Sequence, residues 1–414
     1  MRTRVLFINR SYWPDSEATG QLLTSLCEGL STELDVHVLV GQPNIPASDA
    51  PLNKTEVRHG VTIHRVGHLT FPKRSMVGKA MNFISFVLAC HRRIWSLPRP
   101  DIVVFETDPF LLPLVASRFA RKRDCRLVGY LQDIYPDIAV ALGKVRNNWL
   151  IRRLRKTLFK IYKSCDRIVV LSEDMKTLIA EGGIDGDRIS VIPNWADTNS
   201  IRPIPGDNPF RTRNGFDDKF VVMYSGNMGL TQRLEQYVYA AEVLKADSKI
   251  QFVFVGNGAN RHSIEQLVSN RQLDNVCFFD YQPLTELSAS LGAADLHILP
   301  LTAEISRCLM PSKLYGILAA GRPYLTTAPA WTELSKLTVK HQIGFRVDND
   351  AEEIAETIRF AAGRTAELRQ MGKRARKLGQ SEFSEQNAIA RFLNVVTSLN
   401  SEAQAAPSQA RKAA

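Results

Sequence analysis

The chain has 414 residues, 44% hydrophobic and 8% aromatic, with a formal net charge of +11. That length exceeds one ordinary core and predicts two domains, and the apolar share excludes a disordered chain. The positive excess suits nucleic acid, an anionic membrane surface or phosphorylated substrates, and only the placement of the charge can choose among them. The cysteines Cys27, Cys90, Cys125, Cys165, Cys277 and Cys308 form no CxxC pair and have no His at ligand spacing. That pattern predicts buried free thiols in a reducing compartment. The start "MRTRVLFINRSYWP" has no signal-peptide apolar core. No run of ~18 apolar residues predicts a spanning helix. The expected location is the cytoplasm.

In chain order, short apolar runs alternate with helical spacing. Strands are predicted at 4–10, 35–41, 61–66, 101–107, 125–131, 166–172 and 188–194, with a helix at 19–33 and others between the later runs. Residues 197–217, rich in Pro, Gly, Asn and Asp, read as a linker. The alternation restarts with strands at 220–226, 250–256, 275–279, 295–300 and 322–327, and the chain reads as helical from 350 to about 399. Unbroken apolar strands alternating with helices indicate parallel sheets covered on both faces. The expected fold is α/β: two doubly wound, Rossmann-like domains facing a cleft. Residues 1–197 form an N-terminal acceptor domain and 198–380 a C-terminal donor domain. Residues 381–399 form a helix returning to the first domain, and 400–414 a disordered tail.

In doubly wound sheets ligands bind beyond the carboxyl ends of the strands. "YSGNMGLTQRLEQ" (224–236) is the clearest such loop. Asn227, Met228 and Gly229 form a short loop, Gly226 and Gly229 let the backbone approach a phosphate, Thr231 is placed to cap the next helix, and Arg233 falls in its first turn against the dipole. The alternative is an ordinary strand–helix turn with an exposed arginine. "FVFVGNG" (252–258) repeats the arrangement with Gly256, Asn257 and Gly258. In "MPSKLYGILAAGRP" (310–323), Pro311 suits a first helical turn, and Ser312, Lys313 and Leu314 offer amides and an ammonium there. A structural helix with a solvated lysine is the competing reading. At the N-terminus, "SYWPDSEATGQLL" (11–23) is a long loop in which Asp15 and Glu17 precede a helix opened by Gly20.

Taken together, "LQDIYPDIAVALG", "VLSEDMKTLIAEGG", "VIPNWADT", "YSGNMG", "FVGNG", "DLHILPL" and "MPSKLYGILAAGRP", in that order after the Gly20 loop, resemble glycosyltransferase family 4 of the GT-B enzymes. The resemblance runs from about residue 3 to 395 and is greatest to the branch of bacterial colanic-acid and O-antigen transferases that includes WcaI and WbuB. It implies a GT-B fold, no cofactor and no essential metal, and retaining transfer from a nucleotide-sugar held mainly by the C-terminal half. It places Gly20, Gly226, Asn227, Gly229, Gly256, Asn257, Tyr281, Gln282, Ser312 and Leu314 at the donor, and base contacts near 279–282. The usual Arg and Lys of the diphosphate loop are absent. Asn227 and Gln232 stand near their positions, with Arg233 adjacent. The family's paired glutamates fall at Cys308 and Gly316, neither acidic, so Lys313 and Ser312 become the expected replacements and Glu304 a nearby acid.

Retaining transfer needs positive charge at the leaving diphosphate. Arg233, Lys313 and two helix N-termini are expected to supply it, since "ETD" (106–108), the nearest approach to a metal-binding pair, reads as a strand terminus. Asp133 is expected to contact the acceptor or the donor sugar, with a plain turn aspartate as the alternative. Asp137 is a weaker candidate, and Gln132 stands where much of the family has His. The stretch 144–164 holds eight Lys and Arg and no acid, with Leu150, Leu154, Leu158, Ile161 and Tyr162 on one helical face. It suits an anionic membrane surface, as does the apolar stretch 76–97 with its basic ends, although both also fit sheet-covering helices with solvated faces. The expected partners are a nucleotide-sugar, a polyprenyl-diphosphate-linked glycan and the inner leaflet of the plasma membrane, where the protein would be peripheral. Nucleic acid is not expected, because no zinc, RNA-binding or helix-turn-helix pattern is present. Two rivals stand beside the transferase: a catalytically silent GT-B binding or assembly protein, and a GT-B sugar-nucleotide epimerase.

Overall fold

A computed structural model describes residues 2–15, 18–43, 52–71, 76–195, 197–204, 206–229 and 232–405. The chain divides into two units, Met1–Pro193 with Glu385–Ala414, and Asn194–Ser384.

The first unit is built on eight strands: β1 (Arg4–Ile8), β2 (Asp35–Gly41), β3 (Thr55–Arg58), β4 (Val61–Val66), β5 (Ile102–Phe105), β6 (Arg126–Leu131), β7 (Arg167–Val170) and β8 (Ile189–Val191). Their order is β3-β4-β2-β1-β5-β6-β7-β8. All pairs are parallel except β3–β4, an antiparallel edge hairpin that the apolar pattern does not announce. β3 is half exposed and alternates, the mark of an edge strand, whereas β5 is buried at every position. Phe392 packs on the rings of Phe7 and Tyr130, so the helices Ala18–Leu30 and Glu385–Ala405 cover that face. Helices Met76–Arg93, Leu112–Arg123 and Trp149–Ser164 pack in succession as one layer. Right-handed crossovers place that layer on the other face. The last of these helices begins at Asn148, whose side chain accepts from the Ile151 amide at 3.0 Å, a cap worth about 1 kcal/mol.

The second unit has six parallel strands: β9 (Phe220–Ser225), β10 (Ile250–Val255), β11 (Val276–Phe279), β12 (Leu296–Ile298), β13 (Tyr324–Thr326) and β14 (Gly344–Arg346), ordered β11-β10-β9-β12-β13-β14. Alternation divides its core. Val222, Tyr224, Phe252 and Phe254 belong to one apolar cluster, Val221, Met223, Val253 and Val255 to the other. In both sheets the strand order reverses beside the first strand, between β1 and β5 and between β9 and β12. Those crevices are where a doubly wound sheet takes its ligand.

Several expectations change in detail. β14 is an additional strand, and the final helix runs through Ala405, so only 406–414 of the expected tail lies outside the described residues. All six cysteines are free, with Cys125 and Cys277 only partly buried. In the helix Trp149–Ser164, Leu158, Ile161 and Tyr162 are buried, while Leu150 is exposed beside Trp149. No described helix is long and apolar enough to cross a membrane.

Candidate active-site loops

In the second unit, β9 gives way to Gly226, whose φ is +135°. A Cβ there would overlap Lys313 Cε, so glycine at this position makes room for the lysine. Lys313 opens the helix Lys313–Ala319, and its ammonium lies 5.1 Å from the centroid of the Tyr224 ring. It has no carboxylate partner among the described residues, and burial pulls its pKa from 10.5 down to about 8.

The loop after β10 closes against the first. A Cβ on Gly256 would overlap the Gly226 carbonyl, and one on Gly258 the Met228 carbonyl. The Met228 amide donates to the Asn257 carbonyl at 2.9 Å, and the Asn260 amide to the Met228 carbonyl at 3.0 Å. Tyr224 donates its hydroxyl to the Asn227 carbonyl at 2.6 Å. Tyr281, 58% exposed, donates to the Asn257 carbonyl at 3.3 Å, and Gln282 donates to the Asp280 carbonyl at 2.9 Å. Gly226, Asn227, Gly256, Asn257, Tyr281 and Lys313 are therefore brought together, with Gly229 on the same loop as Asn227.

Some expected members stand elsewhere. Leu314 is withdrawn into the core and its amide donates to the Pro311 carbonyl, so it presents nothing to these loops. Ser312 is an exposed N-cap with no side-chain capping bond, and Pro311 precedes the cap instead of occupying the first turn. Gly20 is the third residue of its helix, where a Cβ would come 3.0 Å from Ser11 Cβ; it serves close packing of helix on loop. Asp15 is buried, and Glu17 and Thr231 lie outside the described residues.

Arg233 is not in the first helical turn. It precedes Leu234, the N-cap of helix Glu235–Val243, and holds a left-handed φ of +45°. Its guanidinium pairs with Glu304 Oε1 at 3.2 Å, joining two residues that the sequence offered separately. The pair is exposed and contributes little to stability, so it does not account for a strained backbone at a non-glycine residue. Gln232, Arg233, Thr302, Glu304, Thr327 and Arg346 line a pocket of about 250 Å³ at this end of the sheet.

In the first unit, the carboxyl ends of β1, β5 and β6 carry Arg10, the run Glu106–Thr107–Asp108, and Gln132–Asp133. Arg10 pairs with Asp108 at 2.9 Å. The Asp133 amide donates to Thr107 Oγ1 at 3.3 Å, while the Asp133 carboxylate has no hydrogen-bond partner among the described residues. Burial, then the charge of Asp108, lifts its pKa to about 6. Asp137 is committed to Arg155 Nε at 2.8 Å. Glu106, passed over in the sequence as a strand end, is 1% exposed. Its Oε1 accepts from Gln132 Nε2 at 3.3 Å, its Oε2 has no hydrogen-bond partner among the described residues, and burial drives its pKa up to about 8. The available signal was an acid immediately after four wholly apolar strand positions. Among the described residues no group of three or more His, Cys, Asp or Glu is placed to hold a metal ion.

Comparison with known proteins agrees with this architecture. The model of Glycosyltransferase Family 4 matches residues 19–200, and that of Glycosyl transferases group 1 matches 207–378. The chain is 29% identical to the glycosyltransferase WbjE of Pseudomonas aeruginosa, over 73% of this chain and 76% of that one. It is 24% identical to the colanic acid biosynthesis glycosyl transferase WcaI of Escherichia coli, over 94% and 99%. Anabaena Alr3699/HepE, solved in complex with UDP, superposes with a TM-score of 0.68 over 96% of this chain and all of that one, at 14% identity.

Proposed function

Because the chain belongs to glycosyltransferase family 4 and has the GT-B fold, we propose that it is a retaining transferase of bacterial polysaccharide biosynthesis that moves a sugar from a nucleotide donor to a lipid-linked glycan. The observation that carries the reading is Lys313: an ammonium without a counter-ion among the described residues, packed on a glycine at the carboxyl end of β9. The protein bears the cost of desolvating it, and a diphosphate would return the lost stabilisation. The UDP bound by HepE and the colanic acid product named for WcaI support a nucleotide-sugar donor and a polysaccharide product.

In this reading the diphosphate lies on Gly226, Asn227, Gly256 and Asn257, with Tyr281 and Gln282 beside the base and Lys313 on a phosphate oxygen. Arg233 and the pocket it shares with Glu304 take the sugar side. The bond from sugar C1 to phosphate oxygen breaks as C1 bonds the acceptor oxygen on the same face. The acceptor proton passes to the departing phosphate, and positive charge at that oxygen lowers the barrier, the task a metal performs elsewhere. Within the first unit, Asp133 is the residue we assign to the acceptor hydroxyl.

The lipid-linked acceptor rests on the layer of helices 76–93, 112–123 and 149–164, which contains no Asp or Glu. Val77, Met81, Ile84 and Leu88 form an exposed apolar stripe on the first, and Trp149 and Leu150 are exposed beside Arg152 and Arg153 on the last. Apolar stripes among cations suit an anionic leaflet, at about 1 kcal/mol per cation near the surface.

The decisive experiment is a thermal-shift panel of UDP, GDP, dTDP and their sugar conjugates on the wild type and on Lys313→Ala. One nucleotide should raise the melting temperature, and Lys313→Ala should abolish the rise. The acid-free positions Cys308 and Gly316 favour one alternative, a silent binding protein. It would give the same shift but no transfer to a lipid-linked acceptor.

A further inference from the structure

The second unit has another concavity, at the opposite ends of its strands. A trough of about 1040 Å³ opens at the amino ends of β12 and β13, bounded by Asp295, Pro323 and the helix Thr365–Ser381. The helix lies flush on the turn before β13: a Cβ on Gly372 would overlap the Gly321 carbonyl oxygen. Arg211 faces the trough but is neutralised by Asp295 at 2.9 Å. Arg376 is held by the carbonyls of Thr198 at 2.7 Å and Ile201 at 2.8 Å and by that of Ala319, and Arg322 by the Gly292 carbonyl. Carbonyls fix a guanidinium without cancelling its charge. Burial lowers the pKa of Arg322 below its ordinary value, and the charges of Arg211 and Arg369 push it the same way against Asp295.

Arg369, Lys373 and Lys377 complete the rim, one helical turn apart on a single stripe. All three are exposed, and none makes a side-chain hydrogen bond or ion pair among the described residues. Like charges at this spacing destabilise a helix. On the facing wall stand Asp207 and Asp217, the latter accepting from Thr212 Oγ1 at 2.9 Å. Five cations thus face two carboxylates, two of the cations fixed and three free to move.

We infer that this trough is a second anion site, separate from the nucleotide loops, that binds a phosphate-bearing ligand through Arg322, Arg369, Lys373 and Lys377. Guanidinium and ammonium groups from adjacent elements converge there as phosphate recognition requires. The phosphate can belong to a soluble metabolite or to an anionic lipid headgroup.

Calorimetric titration with inorganic pyrophosphate at fixed ionic strength tests the site in the full-length chain, in a Lys313→Ala background that silences the nucleotide loops. Adding Arg369→Gln, Lys373→Gln and Lys377→Gln should weaken the remaining binding by about tenfold or more. The melting temperature should hold or rise, since no internal contact is lost. Neutralising the exposed Lys336, Lys340 and Arg359 instead should change nothing. A parallel arm measures binding to phosphatidylglycerol vesicles. Loss of pyrophosphate binding alone identifies a soluble ligand, and loss of vesicle binding, with or without it, a headgroup. If the triple variant binds both probes as its parent does, or the control variant loses as much, the site does not exist.

Discussion

The carboxyl ends of the two sheets have the same topology and opposite chemistry. In the first unit the loops after β5 and β6 gather Glu106, Asp108 and Asp133, and Arg10 pairs with Asp108. In the second the loops after β9 and β10 are glycine and amide, served by Lys313 and Arg233. Burial acts on both in the same sense, disfavouring charge: Glu106 and Asp133 are pushed up and Lys313 is pushed down. One end thus offers an ammonium held on glycine loops, the other carboxyls displaced toward their protonated form. The fold positions a crevice, and the residues placed at each strand end decide what enters it.

The glycine loops are the part of this contrast most easily destroyed. Gly256→Ala sets a Cβ against the Gly226 carbonyl at a φ of +127°, and both backbones would have to move. The expected cost is roughly 2–4 kcal/mol, read as a shift in urea midpoint, together with loss of nucleotide binding. Lys313→Met should separate binding from stability. Nucleotide affinity should fall about 10- to 100-fold, the scale of one hydrogen bond to a charged group. Stability should hold or rise, because a desolvated charge has been removed. A variant that loses both together would return Lys313 to a structural role.

These loops were partly legible beforehand, for a definite reason. Glycine after an apolar strand is a local signal, so Gly226 and Gly256 stand out in the sequence. The contact between Gly226 and Lys313 spans 87 positions and depends on strand order, which periodicity does not encode. The same holds for Arg233 and Glu304. Burial explains the misreading of "ETD" and of Leu314. A carboxyl that follows a strand looks solvated in sequence, and only the helices Ala18–Leu30 and Glu385–Ala405 close over that face of the sheet. Parallel strands announced themselves because both of their faces are apolar, whereas the edge strand β3 and the short β14 lack that signal.

Opposite displacements of pKa give the two ends opposite pH dependence. Glu106 titrates near 8 when folded and near 4.5 when free, so the folded chain binds more protons between those values. Its contribution to stability is present at acid pH and is lost as pH rises from about 4.5 through 8. Lys313 is the reverse. Between about 8 and 10.5 the unfolded chain binds more protons, and stability contributed by this site rises with pH. Glu106→Gln, neutral at every pH, should flatten the first limb and leave the second. Each tenfold change in proton affinity is worth about 1.4 kcal/mol, so the recovered stability has a ceiling of about 5 kcal/mol. A realised gain near half of that is expected at pH 8.5. Urea titrations at pH 5, 7 and 8.5 read it directly.

The smallest effect lies on the surface, where it tests the proposed sugar side alone. Arg233 and Glu304 are both about half exposed, so Glu304→Gln should move stability by less than about 0.5 kcal/mol. If Glu304 faces the donor sugar, the variant should bind the nucleoside diphosphate as before, or slightly more tightly as Arg233 is released. It should bind the sugar conjugate several-fold more weakly. Equal change toward both ligands would mean that Glu304 acts only through Arg233, and the pocket of about 250 Å³ would lose its claim to the sugar. The ratio of the two affinities decides the matter, because any general loosening of the loop cancels in it.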